Sequence, residues 1–597
     1  MLIEPISARA RQTSTLDAPQ LKGRSALRVA LIVDSPLASK YVFDLAEWAS
    51  HQKDLDFSHL IVQKVPALEQ GRFRKAIASA RAKGLFYMLK QVGITLIRDV
   101  ESLILKQSAT YKNHVRKYNL FDIVPKSLTV TPIISKSGFV YRYDACDIEN
   151  IKSICFDILI RCGTGILRGE ILAASKLGII SFHHGDTKIN RGGPAGFWEV
   201  YLKQDSTGFT IQRLTEELDG GNILFQGHVS TKFFWQLNQA ALLEKSNVYL
   251  KRVLLKISTT RQLSESHESL PYCNEVYTLP SLGVQARYCF NLMRTVLVKA
   301  FNILSKREDC WSVAFKYRDW RDLVMCRGIR IKNPPNRFLA DPFVISHENG
   351  DYCFVEDYDF ATSRGCIAVY KLSENSSERL GEAIVEPFHM SYPYIFKYQS
   401  RFYMCPETCE NKDIRLYESE GFPLKWKLKK IIMADVSAAD TTIFEHGGLW
   451  WLFTNIDTTN LGDHSTELFI FYADSPLADN WTPHAKNPIL VDSRKARMGG
   501  ILRDNKTIYR VAQRQGFDMY GKSSSINKIT LLSKDDFIEE KLFKIEPNFF
   551  SGIRGTHHMH SNGRVTVYDF VEHVKVKIYR NASQLRVFMS MLASATQ

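Results

Sequence analysis

No stretch of this 597-residue chain keeps up the roughly 18 consecutive apolar residues that a membrane-spanning helix needs. The opening MLIEPISARARQTSTLDAPQLKGRSA has no apolar segment of the kind a secretory signal carries, and residues 1–26 are expected to be a disordered leader. Eleven cysteines are scattered without CxxC spacing or a Cys/His grouping suited to structural zinc, which argues against a disulfide scaffold and a zinc module. Reduced thiols and a cytoplasmic location are the expectation. Zinc-finger and RNA-binding signatures are also missing, as is any basic tract interleaved with stacking aromatics, so nucleic acid is not an expected partner. What the chain does have is a surplus of cations, 78 Lys+Arg against 63 Asp+Glu, which favours phosphate-bearing molecules or an acidic membrane face. Its length exceeds one hydrophobic core, and about three units are expected.

The first half alternates between two periods. RVALIVD at 28–34 and FDILIRC at 156–162 are continuous apolar runs, as strands buried on both faces of a parallel sheet must be. Tyr41, Leu45 and Trp48 keep helical spacing between the first run and FSHLIVQ at 57–63, giving a βαβ unit. A basic, helical insertion is expected over 67–118, a helix over 166–178 ending at Gly178, and a strand over 179–184. This pattern predicts a doubly wound α/β domain over 27–235, with its ligand at the carboxyl ends of the strands. A helical region follows from about 236, serving as a connector to 310. Within it Phe290, Met293, Leu297, Phe301 and Leu304 form a stripe flanked by Arg287, Arg294, Lys299, Lys306 and Arg307. Such a stripe packs against its own protein in most cases, and in the remainder makes peripheral contact with an anionic membrane, here through 286–308.

From 311 to 580 the period falls to two. Strand, tight turn and aromatic-rich strand recur with starts near 341, 392, 440, 499 and 557, as in FLADPFVI, SYPYIF, SAADTTIF, MGGILRD and HHMHSNGR. Repeats of about 40–50 residues built of strand pairs predict a β-propeller, here with five blades.

Moving an acyl group to an amine requires a donor for the developing oxyanion and a base that relays the amine's proton. His183, just past a buried strand, suits the relay. Asp219, in LTEELDGGNIL, could fix its tautomer, while NRGGPAGFW at 190–198 supplies a glycine-rich loop. FDILIRCGTGILRGEILAASKLGIISFHHGD and the following NRGGPAGFWEVYLKQDSTGFTIQRLTEELDGGNIL resemble the 10-formyltetrahydrofolate-dependent formyltransferases, with matching motifs in order over about 80 residues. The resemblance implies a Rossmann-like domain, 10-formyltetrahydrofolate as donor and an amine, such as an amino sugar in glycan biosynthesis, as acceptor. It gives His183 and Asp219 the catalytic roles and His184, Arg191, Gly192 and Gly193 the substrate loop. Ser181 stands where that family has its catalytic asparagine, and His184 is a candidate for the missing donor.

In the second half Asp341, Glu356, Glu407 and Asp440 are candidate carboxylates at a funnel mouth, with Tyr392, Tyr394, Trp450 and Trp451 as sugar-stacking aromatics. Asp341, Glu407 and Asp440 are the expected substrate-binding set, and no metal is expected. The YPY…YMCPET and ADTTIF…WWLF stretches resemble the N-terminal domain of glucosamine inositolphosphorylceramide transferases, and more loosely five-bladed glycosidases. The leading expectation is formyl transfer, with small-molecule amine, sugar or glycan substrates. A propeller-based glycosidase or glycosyltransferase-like enzyme, or a non-catalytic glycan-binding protein, remain the alternatives.

Overall fold

The computed structural model describes residues 25–65, 84–136, 138–217, 220–264, 272–348 and 350–576. Its first half is built on a seven-stranded sheet. In chain order the strands are β1 (Leu27–Val33), β2 (Leu55–Gln63), β3 (Lys126–Val130), β4 (Ile158–Arg161), β5 (Ile179–His183), β6 (Ser206–Arg213) and β7 (Asn222–Ser230), and their spatial order is β7-β6-β5-β4-β1-β2-β3. The first five run parallel, β6 runs antiparallel to β5, and β7 antiparallel to β6. Both faces are covered, as the unbroken apolar runs require. Leu31, Leu45 and Leu254 lie in the core on one face, with Ile32, Ile61 and Ile148 in that on the other. Strand order reverses between β1 and β4, and a crevice opens at their carboxyl ends.

Four helices position the rest: α1 (Lys40–Ser50), α2 (Leu85–Ile104), α3 (Trp235–Thr260) and α4 (Leu282–Leu304). The helix expected over 166–178 does not form. That segment is a two-residue strand at Ile166–Leu167 and one 3-10 turn at Glu170–Ala173, because Gly165, Gly169 and Gly178 all take positive φ and break the helical path. Part of the expected 67–118 insertion, residues 67–83, lies outside the described residues, as does the leader through residue 24.

The second half is propeller-like. Four antiparallel sheets follow one another along the chain, over 337–384, 391–434, 438–491 and 498–545. A further sheet joins Arg307–Lys316 to Thr566–Lys575, so the first and last long strands close the ring. Strand pairing thus begins at Arg307, inside the segment expected to be connector. The recurring starts fall at the innermost strands. Each of the four sequential sheets has a bulge at the same place, between Ala340 and Phe343, Ser391 and Tyr394, Ala439 and Thr442, and Met498 and Ile501. The bulge turns the backbone left-handed at Asp341, Tyr392, Asp440 and Gly500, with φ of 49°, 46°, 54° and 121°. Three of those four residues are not glycine, a costly choice that marks a position held for its side chain.

Candidate functional site

In the α/β half the expected imidazole is present and locked. His183, at the end of β5, is buried, and its Nε2 lies 2.9 Å from the Asn190 carbonyl. A carbonyl only accepts, so Nε2 carries a proton and donates it there. The Asn190 amide donates to Glu199 at 2.6 Å, and Glu199 is buried with its carboxyl pushed above the usual range by that burial. Asp219 lies outside the described residues. The other candidates are drawn into structure. Ser181 donates its hydroxyl to the Phe182 carbonyl. Strand alternation puts Ser181 with His183 on one face and Phe182 with His184 on the other, and His184 stacks on Phe182 with centroids 5.5 Å apart. His184 is therefore not delivered beside His183 as a replacement donor. Burial pushes it down to about 3, so its ring is neutral.

Arg191 donates from Nε to the Thr187 carbonyl at 3.0 Å, and its guanidinium lies over the Tyr272 ring. Gly192, at φ 100°, pairs with Tyr277, whose carbonyl would sit 2.0 Å from any Cβ there. The glycine admits another strand rather than a ligand. Gly193 has no such crowding.

The crevice at the strand ends holds a cavity of about 710 Å³ lined by Asp34, Tyr41, Gln63, Lys64, Cys162 and Thr164 among others, but not by His183. Asp34 accepts from Gln63 and from the Thr164 amide, each at 2.8 Å. The volume suits a folate-sized molecule. Beside His183, however, the hydroxyl of Ser181 and the amide of Asn190 are committed elsewhere, so neither of these two offers the oxyanion donor that formyl transfer needs.

At the propeller axis the bulges aim Asp341 and Asp440 inward, and they are joined by groups that the repeat pattern did not reveal. Asp569 accepts from the backbone amides of His557 and His558, each at 3.0 Å. The His557 ring reaches Asp569 with Nδ1 at 2.7 Å and Asp341 with Nε2 at 3.4 Å. Arg497 donates to Asp440 at 2.6 Å, lies 3.8 Å from Glu407 and sits over the Tyr520 ring. The Asp440 amide donates to Glu407 at 3.3 Å, and Trp311 packs on His557 with centroids 4.0 Å apart. Four carboxyls (Asp341, Glu407, Asp440 and Asp569), each under a tenth exposed, thus share Arg497 and His557, while a fifth, Glu356, lies 3.7 Å from the His389 ring.

The imbalance shows in the titration. Burial, reinforced by Asp440 and Asp569 against the pull of His557, raises Asp341 to about 7. Burial raises Asp440 to about 6 although Arg497 opposes it, and takes Glu356 well above the carboxylate range. Asp569 goes the other way. Burial alone would lift it, but His557 holds it below its usual value, and the carboxylates in turn raise His557. Asp341, His557 and Asp569 are also the one set among the described residues whose ligand atoms, within 4.8 Å of one another, could hold a metal ion. The expected aromatics serve differently. Tyr392, Tyr394 and Trp451 are buried in packing, and Trp451 donates to the His446 carbonyl. Trp450, half-buried, packs on Phe396 and Tyr398. Arg497, His557 and Asp569 were missed because they sit on connecting loops and the closing strand. The HHMH run at 557–560 was the available signal.

Residues 291–563 match the N-terminal-domain family of glucosamine inositolphosphorylceramide transferase 1. The Arabidopsis thaliana protein of that name is 34% identical over 272 residues, covering 44% of this chain and 34% of that protein. The chain thus spans about a third of the length of this relative. A methionyl-tRNA formyltransferase of Ehrlichia ruminantium (strain Gardel) is 24% identical over 222 residues, covering 35% of this chain and 72% of that enzyme. Among solved structures, a thermostable family-43 glycoside hydrolase aligns with a TM-score of 0.28 at 14% identity, over 35% of this chain and 76% of its own. The relatives of both halves are transferases.

Proposed function

We propose that this chain is a glycan-directed transferase whose reaction is seated at the axis of a five-bladed propeller (307–576), beside a Rossmann-like domain of formyltransferase type (27–235). The observation that carries it is the pair Asp341 and Asp440. Both stand at the same left-handed bulge of two inner strands, both are buried, and both are driven up toward neutrality. Group transfer at a sugar carbon uses one carboxylic acid to protonate the leaving oxygen and one carboxylate to take up a proton or the developing positive charge. Asp341, which among the described residues has no arginine beside it and is crowded by Asp440 and Asp569, suits the acid. Asp440, backed by Arg497, suits the carboxylate. The name of the plant relative directs the substrate class toward glucosamine and inositolphosphorylceramide. Asp341→Asn and Asp440→Asn are each expected to lower transfer to or from a glucosamine-bearing acceptor by about 10²-fold or more, with His183→Ala near the parent rate. Full activity in both Asn variants would defeat the proposal.

A second function, transfer of a formyl group from 10-formyltetrahydrofolate to an amine such as an amino sugar, is favoured by His183, which stands at the end of a sheet strand with its Nε2–H fixed on Asn190. Calorimetric titration with a formylfolate analogue tests it, and no heat at millimolar ligand removes the donor.

A further inference from the structure

Helices α2 and α4 lie against each other and run the same way. Gln285 donates to the Lys90 carbonyl at 2.8 Å, and farther along Tyr288 donates to Glu101. Their inner faces enter a common core. Ile94 and Ile97 of α2 and Tyr288 of α4 are buried with Phe197 and Trp235, while Leu292 and Val296 pack against the cluster of Phe233 and Phe234. The stripe singled out in the sequence is therefore not the packing face. Phe290, Met293, Leu297, Phe301 and Leu304 are all exposed, Leu304 by 77%.

The neighbouring helix repeats the feature. Leu89, Val92, Leu96, Val100 and Leu103 are exposed at the same 3-4-4-3 spacing, with Leu85 and Phe86 at the helix start. On both helices the apolar stripe lies opposite the side that packs on the protein, so the two form one outward surface. Isolated exposed leucines need no explanation, but two adjoining stripes of five residues each do.

The charge around this surface selects the occupant. Between Leu282 and Leu304 there is no Asp or Glu, while Arg287 and Arg294 are exposed beside the stripe and Arg307 just past its end; on α2 the exposed Arg98 is followed by Asp99, so the cationic rim is that of α4. Lys299 does not count, since it pairs with Asp518. No helix among the described residues is long and apolar enough to cross a membrane. An apolar face rimmed by cations fits the headgroup–acyl boundary of an anionic bilayer, where apolar burial and electrostatic attraction add.

We propose that α2 and α4 together form a docking face that lays the protein on an anionic lipid bilayer. This holds whichever chemistry the axis performs. The test is co-sedimentation of the full chain with vesicles of phosphatidylcholine plus phosphatidylserine, and with phosphatidylcholine alone. The protein is expected to pellet with the anionic vesicles and to be released by high salt. Removing one exposed arginine, as in Arg294→Gln, should weaken binding about fivefold. Combined Phe290→Ser, Leu297→Ser and Phe301→Ser should abolish it, with an unchanged melting midpoint because those side chains are already in water. Two results overturn the proposal: a parent protein that stays in the supernatant, or a triple variant that still binds. A third does so as well, a parent that is dimeric by light scattering and becomes monomeric in the triple variant, which would make the face a contact between copies.

Discussion

Lys245 gives the most direct test of how the two halves are joined. It lies on α3 with its side chain 2% exposed, and its Nζ is 2.6 Å from Oε2 of Glu467, which is fully buried in the propeller. Asp463 lies 3.5 Å away, Thr458 donates to Glu467 at 2.7 Å, and Tyr249 donates to its other oxygen. Among the described residues Lys245 is the one full positive charge in contact with Glu467, so Lys245→Met leaves the carboxylate with two hydroxyl donors. Stripping one partner from a buried pair costs about 3–5 kcal/mol. For a unit of this size each kcal/mol moves the midpoint by about 2–4 °C, so a drop of about 6–20 °C is expected by differential scanning calorimetry. Lys245→Met combined with Glu467→Leu should recover most of the loss, because replacing both ions by apolar groups is close to neutral, less the cost of two hydroxyls left unpaired. The reasoning fails if the single variant melts within about 2 °C of the parent, below the smallest shift these costs allow. It also fails if the double variant is less stable than the single.

Two further outcomes follow from the geometry. Asp341, Glu356 and Asp440 all have folded-state pKa values above their unfolded ones, so the folded protein holds extra protons between the ordinary carboxylate range and neutrality. Their burial therefore costs nothing below the unfolded values and increasingly more as pH rises toward about 7, where Asp341 titrates. The melting midpoint should fall across that window and fall less steeply in Asp341→Asn, and an identical slope would contradict the assignment. Asn is the substitution of choice because it tolerates the left-handed backbone at 341. Gly192→Ala places a Cβ 2.0 Å from the Tyr277 carbonyl at a φ of 100°, and is expected to cost a few degrees of midpoint at least. Gly447→Ala, where the Cβ meets nothing, should cost clearly less, and equal losses would show that strain alone sets the effect.

Much of the architecture could be read from period and composition, and the reasons are physical. A strand buried on both faces must be apolar throughout, so RVALIVD and FDILIRC announced a parallel sheet. Four of the recurring starts were legible because the inner strands of the four sequential sheets repeat one bulge. The helix over 166–178 misled because its apolar spacing was right while three glycines supplied backbone freedom that the spacing does not register. The 286–308 stripe had the correct period but the wrong destination: periodicity locates an apolar face without saying what covers it. The site divided similarly. Asp341 and Asp440 stood out as equivalent positions in a repeat. Arg497 and Asp569 occupy no repeated position, and only the closure of the ring by the last strand brings Asp569 to Asp341.

That closure also sets which end of the axis matters. Asp341 and Asp440 sit at the starts of inner strands, the end from which the loops 457–466, 492–497 and 516–518 also emerge. Those loops are the ones the α/β half covers. Asp205 pairs with Arg514 at 2.9 Å and Lys522 at 3.0 Å, Lys299 with Asp518 at 2.6 Å, and the Ser493 amide donates to the His228 carbonyl at 3.0 Å. His228 in turn contacts Asp186, three residues beyond His183, through Nε2 at 3.0 Å, and Arg494 through Nδ1 at 3.4 Å. Arg497, which holds Asp440, lies one turn of chain past Arg494. The α/β half and the end of the axis that carries Asp341 and Asp440 therefore meet at one interface, whose ion pairs are partly or fully withdrawn from water. Opening the halves like a hinge would strip Glu467 and Asp205 of their cations, a cost that an apolar, sliding interface would not impose. The α/β half therefore covers the loops at the end of the axis where Asp341 and Asp440 stand, and in the proposed reaction it would border that end of the site.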